Sequence, residues 1–196
     1  MALVFAALHG WNRGITLLAF ADALIETSSG LRHARGGGFP WRELLIVFVP
    51  AALHEELLFR GYPFQKLLAR HRGAAYGVMA LVFAALHGWN RGITPLALVN
   101  LVLAGAMLGL AYELRRSLWV PIGLHLAWNV VSGPILGYPI SGYIASSSLL
   151  AVRSPGAEAL SGGAFGIEGS AWATVVEVAA IAILAWISCR QHRAKT

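Results

Sequence analysis

The sequence predicts an all-α fold, a polytopic bundle of transmembrane helices, and three observations predict it. Hydrophobic residues make up 57% of the 196 residues and charged ones only 12%, with a mean hydropathy of +0.64, too apolar for an ordinary soluble domain. The apolar residues gather into stretches approaching the roughly 20 residues that a bilayer core requires of a helix. The basic residues fall in short clusters between those stretches. A net charge of +6 and a pI near 10.1 raise nucleic acid as a partner, but no basic face or stripe supports it, and loop positives beside apolar spans are what membrane orientation requires. Cys189 is the single cysteine, which excludes an internal disulfide and a cysteine-rich metal site.

Taken in order, the chain divides into an irregular N-terminal membrane region, 1–42, and a helical core, 43–196. The core reads as spans at about 43–60, 74–88, 93–113, 118–136 and 171–189. The span at 118–136 is punctuated by Pro121 and Pro134 yet remains apolar otherwise. Trp41, Trp89, Trp119 and Trp172 fall at span edges, where an amphipathic ring suits the headgroup layer. Lys66, Arg70 and Arg72, then Arg115 and Arg116, then Arg190, Arg193 and Lys195 all lie on the cytoplasmic side if these spans alternate. The Ser/Gly-rich segment 137–170 then lies outside. Arg32, Arg35 and Arg42 oppose that assignment, because a fully spanning 43–60 places them outside too.

Residues 1–16, MALVFAALHGWNRGIT, repeat residues 79–94 without a difference. A repeat preserved by physics keeps its pattern and not every surface residue. The second copy follows the Glu-Glu helix at a useful distance; the first has no such helix before it, so Phe5 and His9 are read as an inert echo.

Ionisable groups inside spans cost about 2.5–3.5 kcal/mol each at a helix centre, so their recurrence points to a site. They recur as His54-Glu55-Glu56-Leu57-Leu58-Phe59-Arg60, Phe83-Ala84-Ala85-Leu86-His87 and His125-Leu126-Ala127-Trp128-Asn129. Counting about 1.5 Å per residue puts Glu55 and His125 about 12 Å and His87 about 20 Å from the cytoplasmic face, so the motifs can converge in one layer. Within each, Glu56/Arg60, Phe83/His87 and His125/Asn129 are i,i+4 and share a helix face. The H-E-x-x-H zinc pattern fails, since Leu58 occupies its second histidine position, and His54 lies about 100° from Glu55 around the helix. A zinc ion on Glu55, His87 and His125 stays open beside a metal-free site in which a carboxylate and a histidine hold one water.

Glu-Glu-x-x-x-Arg, Phe-x-x-x-His and His-x-x-x-Asn, in this order over roughly 43–132, resemble the CAAX protease and bacteriocin-processing (CPBP, Abi) family of intramembrane endopeptidases, which includes the Ras-converting type II CAAX prenyl endopeptidase. The resemblance implies a glutamate-dependent endopeptidase in the bacterial plasma membrane. Glu55 is the implied general base on a water also held by His87, with Glu56 and Arg60 fixing charge balance and His125 and Asn129 donating to the oxyanion. The implied partners are membrane lipid and a membrane-associated or lipidated peptide; the implied cofactor is none, with zinc as the alternative. Members usually carry more helices before the Glu-Glu motif, and whether the short N-terminal region here is truncated is left open. A proton-coupled transporter is the rival from another class, but it needs paired broken helices that do not recur here. A non-enzymatic bacteriocin-immunity or scaffold protein is the other. Oligomeric state is left open.

Overall fold

The structure, a computed structural model, describes residues 20–154 and 156–193. The repeat copy at 1–16, with Phe5 and His9, and the basic Lys195 lie outside the described residues. The chain is mostly helical. Helix α1 covers 20–29 and strand β1 Arg32–Arg35. Helix α2 is built from Trp41–Glu43, a π-helical stretch Leu44–Phe48 and Val49–Arg60. Helices α3 (Tyr62–Arg70), α4 (Arg72–Leu86), α5 (Pro95–Arg115) and α6 (Trp119–Val130, prolonged by the π-helical Val131–Ile135) follow. Strand β2 (Leu150–Ser154), the short α7 (Glu158–Ser161), a 3-10 turn (Ile167–Gly169) and the long α8 (Ala171–Arg193) complete the order.

Each of the five expected spans is helical, but they are not equivalent. Pro95–Arg115 and Ala171–Gln191 are long and apolar enough to cross a membrane, whereas Arg72–Leu86 is apolar but shorter. Helix α5 occupies the centre. Its start is set by Thr94, whose hydroxyl accepts the Ala97 N–H at 3.1 Å, with Pro95 in the first turn where a missing N–H costs nothing. Gly105 and Gly109, four residues apart, open one face of α5 to close approach. A Cβ on Gly105 would stand 2.9 Å from the Ala80 Cα of α4, and one on Gly109 3.0 Å from the Tyr76 ring. On another face Met107, Leu108 and Ala111 pack with Val120 and Leu124 of α6 and Ala180 and Leu184 of α8.

Large apolar side chains also face outward. Leu45, Ile46, Leu57 and Leu58 on α2, Val78, Leu81 and Leu86 on α4, and Val175, Ile183 and Trp186 on α8 are exposed. Patches of this extent are rare on soluble monomers.

Three features lie outside the expected spans, and one of them is not helical. Helix α3 occupies what reads as a loop; it is amphipathic, with Phe64 and Leu68 buried and Tyr62, Gln65 and Lys66 exposed. The second, α7, is a single turn. The third is a two-stranded antiparallel sheet that pairs β1 with β2, Arg32 opposite Ser154 and Arg35 opposite Leu150. That pairing puts Arg32 and Arg35 at the same end as segment 137–170. The same end is tied by Tyr138, whose buried hydroxyl donates to Asp22 Oδ1 at 2.6 Å; burial first, and Asp22 second, hold this phenol well above its usual range and keep it a donor.

Candidate active site

Helix periodicity distributes the residues of α2 among three environments. His54, Leu57 and Leu58 are exposed, Glu56 and Arg60 are buried to 0% and 2% exposure, and Glu55 faces an internal cavity. Arg60 Nη1 donates to Glu56 Oε1 at 3.1 Å, and Nη2 to the Gly105 carbonyl at 2.9 Å. Its guanidinium carbon lies 5.0 Å from the centre of the Phe83 ring, a cation–π contact. The absence of a Cβ at Gly105 lets α4 and α5 close together, and its carbonyl joins that same cradle. A buried charge survives only with such partners.

Glu56 has a second role that its spacing does not reveal. Oε1 also receives the Nδ1–H of His125, at 2.8 Å, across 69 residues of sequence. His87 caps the C-terminus of α4 and gives its Nδ1–H to the Phe83 carbonyl at 2.8 Å. These bonds assign the tautomers, leaving both Nε2 atoms directed inward. Glu55 Oε2 lies 3.9 Å from His87 Nε2 and 3.9 Å from His125 Nε2, and it is buried with no protein hydrogen-bond partner. The Phe83 ring sits among these groups, centred 4.7 Å from the His87 ring and 6.5 Å from that of His125.

The cavity in front of Glu55 measures about 270 Å³. Glu55, His87, His125 and Asn129 line it, while Glu56 and Arg60 stand behind them. Asn129, one turn beyond His125, has a buried Oδ1 without a partner. The lining also includes residues that the motifs do not: Asn100 of α5, Ser141, Glu168 and Glu177 of α8. Glu177 had a signal, being a lone carboxylate inside an apolar segment, where it costs as much as any motif residue.

A zinc ion on Glu55, His87 and His125 asks for donor atoms about 3.3–3.4 Å apart, from tetrahedral bonds of about 2.0–2.1 Å. The 3.9 Å separations are wider. Among the described residues, the three donors that lie within 4.8 Å of one another are Asp22, Glu26 and His33, away from this cavity. The residues as spaced do not fit one tetrahedral zinc ion. A water accepting or donating hydrogen bonds of about 2.8 Å fits between atoms so separated.

No curated protein and no solved structure matches the chain. A family model described as Rce1-like, type II CAAX prenyl endopeptidase, matches residues 37–131, a stretch that runs from the approach to α2 to the end of α6 and contains Glu55, Glu56, Arg60, His87, His125 and Asn129. Residues 37–131 are thus similar to the Rce1-like type II CAAX prenyl endopeptidases, a family of membrane-embedded proteases, and the match supports that family for this stretch of the chain.

Proposed function

We propose that this chain is a multi-pass intramembrane endopeptidase that hydrolyses a peptide bond of a membrane-associated or lipidated peptide, with Glu55 as the general base. The observation that carries the proposal is Glu55 Oε2, buried, unpartnered and 3.9 Å from two imidazole nitrogens at the wall of a cavity. A water there donates to Glu55 and to one imidazole Nε2, and it also accepts from the other imidazole when that Nε2 carries a proton. Exposed apolar rows on α2, α4 and α8, together with two helices of spanning length, support placement in a bilayer.

The chemistry follows from the donors and acceptors. Glu55 takes a proton from the held water as its oxygen bonds to the scissile carbonyl carbon. The oxyanion so formed receives the Asn129 amide N–H. His125, whose Nδ1 is bound to Glu56, adds a second donor when Nε2 also carries a proton, and the Glu56 carboxylate balances that charge. Each such donor is worth about 2.7–4 kcal/mol in the transition state. Collapse of the intermediate breaks the C–N bond, and Glu55 returns the proton to the leaving amine. Neither a serine nor a cysteine nucleophile enters.

Purified protein in detergent, given a quenched fluorescent peptide with a prenylated C-terminal cysteine and its unprenylated counterpart, is expected to cleave one or both. Cleavage should survive a strong chelator and disappear in Glu55→Gln. Undiminished cleavage by Glu55→Gln contradicts the proposal, and loss to chelator with rescue by zinc replaces it with a metalloprotease.

A further inference from the structure

The cavity that holds Glu55 is also lined by a carboxylate that the hydrolytic chemistry does not use. Glu177 lies six residues past the start of α8, about 9 Å along the helix. Its face of α8 is fixed by Thr174, whose hydroxyl donates to Asn100 Oδ1 at 2.6 Å, while Asn100 Nδ2 donates to the carbonyls of Glu168 and Ser170 at 2.7 and 2.9 Å. One turn on from Thr174, Glu177 turns to the same side and lines the cavity, 3% exposed, with Oε2 buried and unpartnered. Glu168 lines the cavity beside it, its Oε2 held by the backbone N–H and the hydroxyl of Ser141, each at 2.7 Å.

The other titratable groups that line the cavity are Glu55 from α2, His87 at the end of α4, His125 from α6, Tyr143 and Glu168 from the 3-10 turn. Among the described residues, no lysine or arginine lines it. Three carboxylates thus share one chamber of about 270 Å³ whose lining includes no lysine or arginine. An unpaired buried carboxylate is costly, and the cost is recovered when a cation arrives with the ligand.

We propose that Glu177, with Glu168 beside it, is an anionic subsite that receives a basic side chain, lysine or arginine, of the substrate near its scissile bond. The inference rests on the endopeptidase reading of the same cavity. A lysine or arginine suits the site better than a metal ion, because these carboxylates are not among the donor sets lying within 4.8 Å of one another, whereas one flexible cationic side chain needs only one or two acceptors.

The test uses quenched peptides sharing one lipid tail, with lysine, acetyl-lysine or glutamine placed in turn at each position flanking the scissile bond. Wild-type protein should show, at one position, kcat/KM for lysine about tenfold or more above acetyl-lysine and glutamine, the scale of a charge-assisted hydrogen bond. In Glu177→Gln the lysine-to-glutamine ratio at that position should fall to near one, whatever the absolute rate, and Glu177→Lys should favour a glutamate peptide. Equal wild-type rates for lysine and acetyl-lysine at every position overturn the subsite, as does a preference that persists in Glu177→Gln; the wild-type comparison decides even if the variants do not fold. Flat charge preference with cleavage still lost in Glu55→Gln removes the subsite alone. Cleavage unaffected by Glu55→Gln removes the endopeptidase reading and the subsite with it.

Discussion

Glu56 and Glu177 are both carboxylates in helices, buried to 0% and 3% exposure, yet one is held through its Oε1 by two side chains, with only Oε2 left over, and the other has no protein hydrogen-bond partner among the described residues. Glu56 binds Arg60 and His125 and lies behind the cavity wall; Glu177 stands in the wall with Oε2 free. The difference separates positioning from reception. A carboxylate whose partners are built into the protein holds other side chains in place, and one left without partners at a cavity is ready for a group that comes from outside.

The largest expected effect comes from making Glu56 resemble Glu177. Arg60→Met strands a buried carboxylate, and thermal or denaturant unfolding in detergent should show a loss of about 3–5 kcal/mol. Adding Glu56→Gln to it should recover much of that loss, because no buried charge then remains unpaired. Recovery that fails to occur would mean the pair is held for its shape and not its charge.

Asn129→Ala should lower kcat about 10²–10³-fold with little change in KM, the signature of a group bound only in the transition state. Stability should barely move, because Asn129 Oδ1 has no protein partner to lose. A change confined to KM would place Asn129 in substrate binding instead.

Opposite in sign is Glu177→Met. Replacing an unpartnered buried carboxylate by an apolar side chain of similar length should raise stability by about 1–3 kcal/mol, read as a higher Tm. A lower Tm would show that Glu177 supports the fold. The smallest effect belongs to Tyr138→Phe, which removes one hydrogen bond to Asp22 between α1 and segment 137–170 and should cost about 0.5–1.5 kcal/mol by unfolding.

Much of the catalytic wall is legible in sequence because it is local. Glu56/Arg60 and Phe83/His87 meet at i,i+4, which any helix enforces, and the ion pair and the His87-to-Phe83 bond sit at that spacing. The Glu56–His125 bond is not legible, since it exists only once α2 packs on α6. The same holds for β1 and β2, short segments that become strands only by finding each other more than a hundred residues apart. Helix α3 has two buried apolar residues in nine, too few to separate it from a basic loop by hydropathy. Glu177 has an apolar context that marks it, but no residue at i±3 or i±4 shares its charge chemistry, so nothing in the linear pattern says that it faces the site.

The claim at the centre of the account is that Glu55 directs a water, and does not itself attack, at the scissile carbonyl. Single-turnover cleavage in heavy-oxygen water, with chelator present and with the product and the Glu55 peptide both weighed by mass spectrometry, tests it directly. The account predicts one heavy oxygen in the new product carboxylate and none in Glu55. Heavy oxygen recovered in the Glu55 side chain, or full activity in Glu55→Gln, would contradict it.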